Sequence, residues 1–562
     1  MNNKLALIDF LVFGIYFLIL ASYGYWVYRQ KKKKETSATH DFFLAEGSLT
    51  WWAIGASLIA SNISAEQFIG MSGDGYFVGM AVAAYEWIAA ISLVIIAIWF
   101  MPVYLRNGIY TMPQFLKRRY NESVALIMAI FWLFLYVFVN LTSILYLGAV
   151  AINGLLPGDY LHVVMLVLAV MGLVITLGGM KVIGYTDVFQ VVVLILGGLA
   201  TTYLALTKVS ETLNLGTSPI GGFMALLQDA PDHFKMVLDK PGPEASQEYV
   251  NKYLLLPGIA MYAAGQWVLN LNYWGCNQYI TQRALGADLK TARTGILFSA
   301  FLKLLMPLIV MLPGIAAYVL HKNGNLPGFS GVKDTAYSSV LAFLPAGLKG
   351  LSVAALTAAI VASLAGKMNS ISTIFTLDIY KKYLHKEASE KQQVWVGRVV
   401  VLSAILLSLL FTWNDWLGIK GEGGFTFIQK YTGFISPGVL AMFLLGMFWN
   451  RTSGTAAIAG LLTGFALSVF FNSFAVGVFG TDTLLYTAYL NANGVYEIPF
   501  QINVGWSFIF TVLVMVLISL AAGKISEKAF ILERSMFRIA PVHKVMSILI
   551  LLILIAIYAK FW

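Results

Sequence analysis

Stretches of about 20 apolar residues recur along almost the whole of this chain, separated by short segments that hold most of its charge. Inside a hydrocarbon layer such a run must satisfy its own backbone hydrogen bonds, which an α-helix does and an open strand does not. The runs fall near residues 5–27, 51–74, 80–105, 124–152, 160–178, 185–207 and 253–275. They continue near 293–320, 345–378, 395–413, 425–448, 454–476, 504–523 and 543–561. This predicts an all-α polytopic membrane protein with about 14 transmembrane helices. Composition agrees, because 59% of the 562 residues are hydrophobic and 11% charged, against about a quarter charged in a soluble domain. The first run exceeds a signal-peptide core and leads into Lys31, Lys32, Lys33 and Lys34 without a small-residue cleavage site, so it reads as an uncleaved span.

The formal charge is +10, but the basic residues sit in short loops between apolar runs rather than on one polar face, which argues against a nucleic-acid partner. Alternate loops hold about 21 and about 8 Lys and Arg residues, and the richer set, beginning with 28–50, is expected in the cytoplasm. Both termini then lie outside it. Six histidines and the single Cys276 leave no cluster for a structural metal and no intrachain disulfide. No HExxH, nucleophile elbow, P-loop or soluble acid–base pair is present, so the chain is not expected to be an enzyme. The longer external segments, 208–252 and 321–344, read as loops punctuated by Pro231, Pro241, Pro243 and Pro327.

Two spans carry polar strings that a lipid-facing helix would not hold: SLIASNISAEQFIGMSGDG in the second and GQWVLNLNYWGCNQ in the seventh. The first includes Ser57, Ser61, Asn62, Ser64, Glu66 and Gln67; the second Gln266, Asn270, Asn272 and Asn277. Each opens a group of five spans, 51–207 and 253–448, the spacing of an inverted repeat with discontinuous leading helices whose unwound carbonyls bind a cation. The plainer reading is polar glue between helices, at about 0.6–2 kcal/mol per residue.

The segments NISAEQFIGMSG, AYEWIAAI, NLNYWGCNQYITQR, AFLKLLMPLIVMLPGIAAYV and YTGFISPGVLAMFLLGMFW resemble the sodium/solute symporter family, from the first span to about residue 450 and more weakly beyond. The resemblance implies a five-plus-five inverted-repeat core of the leucine-transporter type. Residues 1–50 would form an extra helix and basic cytoplasmic loop, 51–207 and 253–448 the two repeats, 208–252 an external loop, and 449–562 three further helices. It also implies a multi-pass protein of the cell membrane, in a bacterium the inner membrane.

Among the family's sugar carriers, a pyranose lies midway across the bilayer, and the corresponding polar contacts here are Gln67, Glu86, Asn270, Lys303 and Gln429. Tyr273 corresponds to the stacking ring, and Met71, Tyr85 and Phe425 to the outer gate. Amides, a carboxylate and an ammonium around an apolar ring face suit a ligand whose hydroxyls both donate and accept. Glu86 and Lys303 are intramembrane charges, hence functional candidates, with a structural ion pair as the alternative. Ala89 stands where those carriers have a serine, which leaves glucose, galactose or a related pyranose open.

For sodium the family uses carbonyls at the broken second span and hydroxyls on the ninth, here Ala60, Ile63 and Ala359 with the Ser363 hydroxyl. Asn62 lies between the two sites, and Asp187 matches a carboxylate placed to pass the ion inward, with a helix-end carboxylate as the plainer reading. A serine pair of the family is Ala362 and Ser363 here, one hydroxyl short, and Lys367 replaces an apolar residue one turn beyond Ser363. Either Lys367 snorkels to the cytoplasmic end of its helix and sodium binding survives, or its ammonium substitutes for sodium and coupling is to protons or to no cation. The expectation is sodium-coupled symport of a monosaccharide, with sodium as co-transported ligand and no cofactor. Carriers of inositol or sialic acid are closer alternatives than those of proline or pantothenate, and a channel or sugar sensor is the rival class.

Overall fold

Hydropathy places the helices and polar interruptions break them. The computed structural model describes residues 5–31, 50–63, 66–109, 111–156, 158–177, 180–326, 329, 331–419 and 424–562. Lys32, Lys33, Lys34, Ser64 and Pro327, singled out above, lie outside the described residues. Among the described residues 10 helices are long and apolar enough to cross a bilayer, and the pair Gln247–Ala263 and Gly265–Gly275, bent by 78°, raises the number to 11. Leu7–Tyr23 and Leu161–Leu177 are shorter apolar helices, and the 51–74 window is split. The count of fourteen is thus met only in part, although helix lies in every one of the fourteen windows.

Helix α1 spans Leu7–Lys31, and α2, Trp51–Asn62, stops because Ile63 is extended (ψ 111°). The chain continues through a π-helical turn, Glu66–Met71, into Ser72–Phe77. Further on lie α3 (Ala84–Ile95), α4 (Met180–Thr212) and α5 (Gly265–Gly275). The polar string of the seventh window is interrupted at its edges rather than in its middle. Ala264 (φ −128°, ψ −94°) precedes α5, and extended Asn277 (φ −93°, ψ 125°) separates it from Gln278–Leu285. The Tyr104 hydroxyl donates to the Gly275 carbonyl at 2.8 Å, supplying a partner at a helix end that has lost its next turn. Buried Cys276 lies in this second interruption. After it come α6 (Leu289–Lys322), α7 (Leu348–Thr373), α8 (Gly424–Phe448) and α9 (Phe500–Ala521). The external 208–252 segment, expected as loop, contains the helix Pro219–Asp229, started by the Ser218 side chain and by proline in the first turn.

The described residues form two compact units, each assembled from three stretches of chain. The first takes Met1–Ala83, Leu133–Lys235 and Leu302–Ile428. At its centre α7 packs on α1, α2 and α4. Tyr16 and Leu20 of α1 lie against Ala354 and Ala358 of α7, and Tyr16 stacks on Phe189 of α4 at 5.8 Å. The buried Asp9 carboxylate accepts from the backbone N–H of Gly347 (2.7 Å) and Gly350 (2.9 Å), satisfying donors that α7 leaves open at its start.

The second unit takes Ala84–Trp132, Met236–Phe301 and Gln429–Trp562. In it α5 packs on α3 and α9, and α9 also on Gly454–Ser473. Arg119, 0% exposed, donates to the carbonyls of Gly446 (2.6 Å), Trp449 (3.0 Å) and Thr452 (3.0 Å) around the end of α8. A guanidinium matches that cluster of acceptors because its N–H groups diverge in a fixed plane.

Candidate functional site

In the first unit the broken span carries most of the predicted residues. Asn62 ends α2, and its side-chain oxygen accepts a hydrogen bond from the Lys303 ammonium of α6. Lys303 is 1% exposed, and an ammonium so deep is tolerable only with a partner. The bond ties a predicted sugar contact to the helix end that carries the predicted ion carbonyls. Gln67 and Met71 are buried on the π-helical turn. Between them Gly70 touches the Phe425 backbone so closely that a Cβ on it would lie 2.5 Å from the Phe425 Cβ. The two gate candidates of this unit therefore come together around a glycine.

The ion candidates also belong to this unit. Since α2 stops at Asn62, the carbonyls of Ala60 and Ile63 belong to a terminus, where a helix leaves acceptors for other partners. Ala359 and Ser363 are buried on α7, which packs on α2. Three of the six hydroxyls on α7 donate one turn back: Thr357 to Val353 (2.7 Å), Ser370 to Gly366 (3.1 Å) and Thr373 to Asn369 (2.8 Å). The buried Ser363 hydroxyl has no hydrogen-bond partner among the described residues, a condition it shares with Ser352 and Ser372. Its oxygen is thus not engaged by another described group, and Ala362 beside it carries no side-chain oxygen. Asp187 lies two turns inside α4 rather than at its start, and its carboxylate accepts from the Ser57 hydroxyl of α2 at 3.0 Å. The helix-end reading of Asp187 is therefore replaced by a buried link between α4 and α2. Lys367 is 2% exposed and does not snorkel to solvent, because the surrounding helices enclose α7 over nearly its whole length.

The second unit holds Tyr85 and Glu86, both buried at the start of α3, Asn270 and Tyr273 on α5, and Gln429 on α8. The Asn270 amide donates to the Gln266 carbonyl one turn back at 3.2 Å, which keeps α5 wound through its polar string. Asn272 donates to Ser436 of α8 at 2.9 Å. The Tyr273 hydroxyl bonds that of Tyr279, and its ring meets Trp274 edge-on at 5.1 Å. Two residues that the sequence did not single out join this set. Gln501 of α9 bonds both Tyr85 and Gln266, and Glu497 pairs with Lys430, the neighbour of Gln429 (3.3 Å). A polar residue at the mouth of an apolar helix is an ambiguous signal, so neither stood out.

The pattern of the sodium:solute symporter family matches residues 42–464. A sodium/glucose cotransporter of Vibrio parahaemolyticus is 42% identical over 100% of this chain and 99% of its own length. A sodium/myo-inositol cotransporter 2 of Oryctolagus cuniculus is 34% identical over 82% of this chain and 69% of its own. The solved outward-open, substrate-bound state of a Na+-coupled sialic acid symporter shares the fold, with a TM-score of 0.74 over 92% of this chain and 98% of that one, at 19% identity.

Proposed function

We propose, on the premise that this chain belongs to the sodium:solute symporter family, that it is a secondary active transporter carrying a glucose- or galactose-type monosaccharide together with sodium by alternating access. The observation that carries this reading is the 42% identity along the whole of both chains to a sodium/glucose cotransporter. The family and these relatives are transporters, and this is a multi-pass membrane protein. A bacterial relative of equal extent supports the bacterial inner membrane as its location.

In this mechanism sodium takes the terminal carbonyls of Ala60 and Ile63, the Ala359 carbonyl and the Ser363 hydroxyl. Oxygen-only ligation is what a hard cation requires. Asn62 couples ion to sugar, since it ends the ion-binding helix and orients the Lys303 ammonium. Gln67, Glu86, Asn270, Lys303 and Gln429 serve the sugar hydroxyls, Tyr273 its apolar face, and Met71, Tyr85 and Phe425 close over it. Asp187, held by Ser57, receives the ion on its way to the cytoplasm. Because the 60–71 stretch serves both ligands, sodium tightens sugar binding and sugar tightens sodium binding by the same factor.

Buried Lys367 together with the missing hydroxyl at Ala362 favours a second reading, in which the ammonium stands in for sodium and transport is proton-coupled or cation-independent. The test is uptake of labelled glucose, galactose and inositol into proteoliposomes under inward sodium, inward proton or no gradient. Sodium-driven accumulation that persists in Lys367→Met supports symport. Accumulation on a proton gradient alone, abolished in Lys367→Met, establishes the proton-coupled form of the second reading, and mere equilibration its cation-independent form.

A further inference from the structure

We propose that Gln501, in a helix beyond the ten-helix core, is a positioning residue of the outer gate. It fixes Tyr85 against the start of α5 so that both are set to receive the sugar. The inference rests on the sugar-transport reading given above.

Gln501 is the second residue of α9 and is 0% exposed. Its Nε2 donates to the Tyr85 hydroxyl at 3.1 Å and to the Gln266 side-chain oxygen at 3.0 Å. Tyr85 precedes Glu86 on α3, and Gln266 lies one turn before Asn270, whose amide it receives through its carbonyl. One amide therefore joins the two helix starts that carry three of the sugar and gate candidates.

The backbone is built for this contact. A Cβ on Gly265 would lie 2.3 Å from the Gln501 carbonyl oxygen, and one on Gly505 would lie 2.4 Å from the Ala264 Cβ. Glycine at both positions lets α9 seat directly on the interruption at Ala264. Four residues before Gln501, Glu497 accepts from Asn491 (3.2 Å) and pairs with Lys430 (3.3 Å), which adjoins Gln429. The same segment thus braces α3, α5 and α8 within the second unit.

A packing role alone does not account for glutamine. Among the described residues its Oε1 is buried without a partner, at a cost that is absent for an apolar residue of similar volume. What the amide supplies is direction, because its two N–H groups aim the phenol and the Gln266 side chain at once.

The test compares wild type, Gln501→Met, Tyr85→Phe and the double variant in sodium-driven sugar uptake, each normalised to folded protein. Gln501→Met is expected to raise the sugar KM about tenfold with the maximal rate within about twofold. Tyr85→Phe should do the same, and the double variant should be no worse than either single one. An unchanged KM, a loss confined to maximal rate, or effects that multiply would overturn the proposal. Gln501→Asn, which keeps the amide but draws it off both partners, provides a second route should Gln501→Met not fold; it too must raise the KM, and a wild-type KM overturns the proposal. Absence of sodium-driven sugar accumulation in the wild type would instead overturn the transport reading, and the proposal with it.

Discussion

A lysine deep in a membrane protein needs its hydrogen bonds and its charge taken up, and Lys303 meets the Asn62 oxygen for that purpose. Lys303→Met should weaken sugar binding by about tenfold or more, read by isothermal titration in detergent, since one change removes a donor and frees Asn62. Ser363 is the cleaner test of the ion site, because its hydroxyl has no hydrogen-bond partner among the described residues. Ser363→Ala should raise the half-saturating sodium concentration about tenfold with little change in maximal uptake; an unchanged sodium dependence would remove Ser363 from the site. Arg119 is a structural counterpart, since its guanidinium spans three carbonyls and the Ser526 hydroxyl (3.2 Å). Lysine cannot span them, so Arg119→Lys should lower the thermal midpoint in detergent by an amount equivalent to about 2–4 kcal/mol.

Helix α7 shows how neighbouring elements set a site. Asp9 of α1 closes two open donors at its start, and Asp9→Ala should destabilise the protein by about 1–2 kcal/mol, seen as a lower midpoint, while leaving the ligand residues in place. The placement of helices was readable in the sequence because burying a backbone in lipid permits so few solutions. The interruption at Ile63 was readable from its polar string. Those around α5 were not, since Asn270 spends its amide on Gln266 and holds the helix together where the string suggested unwinding. Long-range partners were out of reach: Arg119 and Gly446 are 327 positions apart, and Tyr85 and Gln501 416 apart. No local pattern encodes such pairings, and polar residues serving them look the same as polar residues facing a loop.

If the fourteen crossings expected from hydropathy all span the bilayer, both termini lie on one side of the membrane, and the Lys and Arg bias puts that side outside the cytoplasm. A periplasm-dependent phosphatase fused after Trp562 should therefore be active, and a silent fusion would require one span more or fewer. The interruption at Cys276 has a practical corollary. With one thiol in 562 residues, and that one enclosed at a gap between two helices, the wild-type chain is its own reporter of hydration. A small maleimide would label it only in those moments when water wets the gap. The labelling rate, followed as sodium and sugar are added, would time the opening of the protein at that gap without a single engineered residue.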